Sequence, residues 1–120
     1  MPLDSLELEA CQLIKIDVDG GELDVLRSGE MQIERFRPIL YFENDVREKS
    51  AKLLEFARDV LGYDLYFHPA PIFSEDNFFG NRTNHWAPAE IKSWMIVGLP
   101  SERELRINLK PVTSSDEWWE

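Results

Sequence analysis

The run QLIKIDVDGGELDVL, residues 12–26, limits what this chain can fold into more than any other stretch. Leu13, Ile14, Ile16 and Val18 make a nearly continuous apolar run interrupted at Lys15, the pattern of a strand buried on both faces of a parallel sheet. Gly20 and Gly21 break that strand and permit a tight turn into a helix. Leu23, Leu26 and Ile33 fall on one face of it, and Gly29 ends or kinks it.

The same alternation continues. Arg37 precedes Pro38, which disfavours helix, so residues 38–43 extend as a second strand centred on Ile39, Leu40, Tyr41 and Phe42. Either Asn44 or Asp45 can cap the next helix, in which Val46, Leu53, Leu54, Ala57, Val60 and Leu61 recur at intervals of three and four until Gly62 stops it. Residues 63–68 form a third strand, aromatic enough to sit at a sheet edge or against one face, and residues 93–99 a fourth. Strand, helix, strand, helix, strand is the order of an α/β sheet with right-handed crossovers, its first two strands parallel and adjacent. Residues 69–92 are rich in proline, asparagine and aromatics, and a loop of that length is more often functional than idle. Residues 102–109 read as a turn of helix or a short strand. One domain over residues 1–110 is expected, followed by a flexible acidic tail, 111–120, in which Trp118 and Trp119 fray or dock on a neighbour.

Charge narrows the partners. With 23 acidic against 13 basic side chains the net charge is −10, a field that repels nucleic acid and anionic membranes. The single cysteine, Cys11, forms no internal disulfide, fits a reducing compartment and reads as a small buried residue. No run approaches the roughly 20 apolar residues that span a bilayer, and residues 1–10 lack the basic and apolar regions of a signal peptide. A soluble, cytoplasmic protein is the expectation.

In an open parallel sheet the ligand crevice lies outside the carboxyl ends of the strands, where Asp17, Asp19, Glu43 and Asn44 occur. Neighbouring strands lie about 4.8 Å apart, so Asp17 and Glu43 can converge as a base and its partner or as oxygen ligands of a divalent cation. The plainer alternative is that Asp17 caps backbone donors and Glu43 pairs with an arginine such as Arg37. Asp17, Asp19 and Gly20 do not make a calcium loop, because the glycine stands fourth instead of sixth. No nucleotide cradle of the G-x-G-x-x-G or G-x-x-x-x-G-K kind occurs, nor a serine nucleophile elbow. His68 stands at a strand end; together with Asn77 and Trp86 of the long segment it completes a candidate substrate-binding set. Tyr66, Phe73 and Phe79 make that segment a substrate lid or an aromatic anchor for the loop. His85 is the other histidine.

The run PLDSLELEACQLIKIDVDGGELDVLRSGE, then RPILYFE, GYDLYF and NFFGN, resembles the second half of FkbM-type methyltransferases over about residues 2–99. In that family an L-D-x-L lead-in precedes a strand written I-K-I-D-V-E-G-x-E; this sequence departs from the pattern at Asp19, where the family usually has glutamate, and at Gly21, and neither change removes a carboxylate. The resemblance implies a partial class I, Rossmann-like sheet of about four strands. Residues 12–18, 38–43 and 63–68 would be strands four, five and six of seven, and residues 93–99 the seventh, inserted antiparallel between the fifth and sixth. It further implies S-adenosylmethionine-dependent O-methylation of a hydroxyl on a sugar or secondary metabolite, with Asp17, Glu43 and Asn44 as catalytic residues and no metal.

In that fold the first three strands hold the cofactor, and they are absent from residues 1–120. The resemblance therefore implies a substrate-side half that binds S-adenosylmethionine weakly or not at all alone. Its first strand would be a bare apolar edge, covered by the lead-in, by a second copy in a homodimer, or by an N-terminal half. The competing readings are a non-enzymatic assembly module that dimerises through that edge, and a small metal-dependent enzyme built on Asp17, Glu43 and Asn44.

Overall fold

A computed structural model of the chain describes residues 1–74, 76–83 and 92–119. Among them the strands are β1 (Leu13–Ile16), β2 (Ile39–Glu43), β3 (Tyr63–Pro71), β4 (Lys92–Pro100) and β5 (Lys110–Pro111), with helices α1 (Glu22–Ser28), α2 (Glu30–Phe36) and α3 (Arg47–Glu55). The sheet runs β1-β2-β4-β3-β5. β1 and β2 are parallel, Leu13 to Ile39 through Ile16 to Phe42, and β4 lies antiparallel between β2 and β3. That is the strand order the resemblance implies, with a fifth, two-residue strand added at the far edge.

Alternation sorts the sheet into two faces. Ile16, Leu40, Phe42, Leu65, Phe67 and Ile96 belong to one buried cluster with Leu26 and Ile33 of the first helices and Leu53, Leu54, Ala57 and Leu61 of the third. Burying such side chains contributes about 1.5–3 kcal/mol each, and this layer holds the domain together. The other face carries Lys15, Tyr41, Glu43, Tyr66 and His68, all half-buried or exposed.

β1 departs from its expected burial. Leu13 is 59% exposed and only Ile16 of the strand is buried, because β2 is its one partner among the described residues. The strand also ends earlier than the apolar run. Asp19 and Gly20 adopt left-handed φ values of 49° and 95°, and Gly21 N donates to Val18 O at 3.3 Å, so a turn replaces residues 17–18 of the expected strand. Gly20 supplies the φ that other residues resist.

Gly29 separates α1 from α2, and the reason is the lead-in. A Cβ at Gly29 would lie 2.3 Å from Leu3 Cδ2. Asp4 accepts from Met31 N (3.1 Å) and Gln32 N (2.9 Å) at the start of α2, and Leu6 O accepts from Gln32 Nε2 at 2.7 Å. The L-D-x-L segment thus docks on the helix junction, where its aspartate satisfies free helix-start donors.

At the next helix neither expected cap acts. The residue before α3 is Val46, with no side-chain cap, because Asp45 Oδ1 accepts from Trp94 N at 3.1 Å instead. α3 closes in a wider turn, Phe56–Val60, in which Leu61 N donates to Phe56 O. β3 continues to Pro71, three residues past its expected end. Beyond Phe67 its outer side has no strand partner among the described residues, and an edge tolerates prolines.

Val112 and Trp119 of the C-terminal stretch lie against the sheet. Val112 is buried, its N–H donates to Leu65 O at 2.8 Å, and the Trp119 ring packs 4.5 Å from Phe67 and 4.6 Å from Trp94. No helix among the described residues is long and apolar enough to cross a membrane.

Candidate functional site

β1 and β2 run side by side and end together, so the residues that follow them are brought together without any long-range loop. Asp17 and Asp19 leave the end of β1, and Glu43 is the last residue of β2. Their carboxylate oxygens lie within 4.8 Å of one another. The left-handed Asp19 and the Gly20 turn fold the acidic segment back toward β2. Glu22 pins that turn by accepting from Gly20 N at 3.2 Å, and Lys49 of α3 donates to Gly20 O at 3.0 Å.

Glu43 is the distinctive member. Its Oε2 is buried and receives no donor among the described residues. What stands near it are carboxyl groups: a hydrogen bond shared with Asp45, burial, and a second shared bond with Asp17 push the Glu43 carboxyl up to about 8. Like charges crowded together cannot all ionise, so the group keeps a proton far above the usual carboxylate range. Arg37, the arginine that the plainer alternative paired with Glu43, is engaged elsewhere. It donates to both carboxylate oxygens of Glu102 (2.6 and 3.0 Å) and to Leu61 O and Gly62 O. Nor does Asp17 accept from a backbone donor among the described residues.

Three carboxylates at this spacing could contribute oxygen ligands to a divalent cation, but exposed acidic groups share that spacing without an ion. Nothing else among the described residues points to one. A carboxyl that releases its proton near neutral pH is, by contrast, a ready general base for a hydroxyl.

The remaining candidates separate. Asn44 does not join the carboxylates. It is 2% exposed, its N–H donates to Trp94 O at 2.7 Å, its carbonyl accepts from Trp119 Nε1 at 3.4 Å, and its side-chain amide is buried without a partner among the described residues. By strand alternation it turns to the helix-covered side. His68 does reach the same face and level as Glu43, because both residues pair with Met95 from opposite sides. Asn77 is occupied within its own loop: its amide donates to Ser74 O and Asn81 O and accepts from Asn81 N. This turn displays Phe78 and Phe79, 96% and 89% exposed. Trp86 and His85 lie outside the described residues.

Two residues of the site were not singled out from sequence. Asp45 supplies the first cause of the Glu43 shift. Tyr41 Oη lies 2.8 Å from His68 Nδ1, and burial raises the tyrosine above its ordinary range. The available signal for Tyr41 was its spacing, two residues before Glu43 on one strand and so on one face.

The family model described as the Methyltransferase FkbM domain matches residues 1–86 of the chain. No curated protein and no solved structure matches it.

Proposed function

The chain belongs to the FkbM methyltransferase family, and from that premise we propose that it supplies the acceptor side of an S-adenosylmethionine-dependent O-methyltransferase. The observation that carries this reading is the Glu43 carboxyl, raised to about 8 beside Asp17 at the joined ends of β1 and β2. When bound, S-adenosylmethionine supplies an electrophilic methyl group on a sulfonium. The residues in hand fit only the cationic end of that cofactor. Asp17, Asp19 and Glu22 would repel its carboxylate, and no glycine-rich cradle for its adenosine occurs in the sequence. The proposal therefore assigns the cofactor to a companion segment, in the same polypeptide or another, and leaves this chain inactive alone.

The chain's own part is proton handling and orientation. Ionised Glu43 accepts the proton of an acceptor hydroxyl, which makes the oxygen a nucleophile as the new bond forms. Asp45, burial and Asp17 together hold the Glu43 affinity for that proton at about 8. His68, level with Glu43, contacts the acceptor; the acceptor class is a small molecule bearing a hydroxyl, such as a sugar or secondary metabolite.

Calorimetric titration tests the division of labour. The 120-residue chain is expected to show no S-adenosylmethionine binding, and fusion to the N-terminal half of another FkbM domain is expected to create it. Micromolar binding by the chain alone, or none by the fusion, overturns the reading.

A further inference from the structure

Asp45 shares a hydrogen bond with Glu43, yet it is exposed and stands among other carboxyls. An aspartate left to itself there would turn away into water, where it regains rotamer freedom and escapes like charge. What holds it is Trp94. Both backbone groups of that residue face the segment that follows β2: Trp94 O accepts from Asn44 N at 2.7 Å, and Trp94 N donates to Asp45 Oδ1 at 3.1 Å. Opposite Trp94 on β3 stands Pro69, which has no N–H to give, so β3 contributes no donor at this level.

The C-terminal Trp119 touches both sides of that grip. Its ring lies 4.6 Å from the Trp94 ring and 4.5 Å from Phe67, and its Nε1 donates to Asn44 O at 3.4 Å. The chain is brought there by β5 on β3, by Val112 N donating to Leu65 O at 2.8 Å, and by Glu117, which accepts from Thr113 N and Oγ1 at 2.7 and 3.0 Å. Trp94 and Trp119 both lie beyond residues 1–86, the span that the family model matches. We infer that Trp119 is a positioning residue: it clamps Asn44 and Trp94 together, so that the Trp94 N–H keeps the Asp45 carboxylate turned onto Glu43.

This rests on the acceptor-site reading above and adds a control to it. The groups around Glu43 are Asp17 and Asp19 from the end of β1, Asp45 from its own segment, and His68 on the same face of β3. Of these, Asp45 is the one that Trp94 holds. A C-terminal residue that bears no charge thereby sets the company, and hence the proton affinity, of the proposed base.

The side-chain carboxyl carbon signal of Glu43 in the full 120-residue chain, followed with pH, tests this. Trp119→Leu is expected to lower the Glu43 midpoint, as Asp45→Asn does, and to change it no further when added to Asp45→Asn. A wild-type midpoint in Trp119→Leu overturns the inference, as does an equal fall in both backgrounds, the result of a role that is only structural. If Trp119→Leu does not fold, the wild-type indole N–H signals decide. The Trp119 signal, assigned with Trp119→Phe, is expected to inflect at the Glu43 midpoint, and that of Trp118, which meets Arg47 instead, to inflect less. No inflection at Trp119, or equal inflections at both, overturns the clamp. None of these readouts requires S-adenosylmethionine, so a chain that fails the calorimetric test leaves them intact.

Discussion

Two glutamates near opposite ends of β2 carry the same carboxyl in opposite company. Glu102 meets Arg37, the residue with left-handed φ of 48° that ends α2, and the arginine's hydrogen bond draws it down to about 2. Glu43 meets only carboxyls and burial, and is driven up to about 8. The Arg37 guanidinium also binds Leu61 O and Gly62 O and lies 4.6 Å from the Tyr63 ring, so that end ties the α2–β2 junction to the close of α3. The Arg37 end spends its charges on the fold. The Glu43 end concentrates like charges, and the proposed acceptor site is built on them.

The sharpest way to break this contrast is at the stabilising end. Arg37→Ala leaves the Leu61 carbonyl without its donor, leaves Gly62 O with Ser101 N alone, and removes the cation–π contact with Tyr63, and is expected to cost about 1–3 kcal/mol in denaturant unfolding. A loss under about 0.5 kcal/mol would show that the junction does not depend on it.

Glu43→Gln acts in the other direction. The folded value of Glu43 is raised, so its contribution is full below the unfolded value of 4.5 and declines as pH rises through about 8. The variant is expected to gain about 1 kcal/mol over wild type above pH 8 after allowance for solvent screening, and to match it at about pH 4. A Glu43→Gln variant less stable than wild type at alkaline pH would contradict the account.

The smallest effect belongs to Glu102→Gln. Its folded value is lowered, so its contribution is present above 4.5 and is lost as pH falls toward 2. Because the glutamate is 54% exposed, only a slight fall in the denaturation midpoint at neutral pH is expected, disappearing in acid. A loss as large as that of Arg37→Ala would mean that the ion pair, and not the carbonyl contacts, ties the junction.

How much of this was legible follows from where each signal lives. The apolar runs around Ile16 and Phe42 and the periodic Leu53, Leu54, Ala57 and Leu61 are local patterns, and they mark β1, β2 and α3. The place of β4 between β2 and β3 has no local signature; it came from the family resemblance. Pro69 and Pro71 hid the end of β3, since a proline reads as a strand breaker unless the edge is known to be open. The docking of Trp119 on Phe67 and Trp94 joins residues far apart in the chain, and nothing near Trp119 announces it. In the site, Asp17 and Glu43 were legible because parallel neighbouring strands end together. Asn44 was not, because its burial depends on the pairing of its backbone with Trp94. The bond from Tyr41 to His68 required knowing that a third strand lies between theirs.

The central claim is the proton affinity of Glu43, and side-chain carboxyl carbon shifts of the labelled chain, followed with pH and assigned with Glu43→Gln, measure it directly. The account predicts a Glu43 midpoint near 8, falling toward the ordinary range when Asp45 and Asp17 are replaced by asparagine. A wild-type midpoint near 4.5 would contradict it.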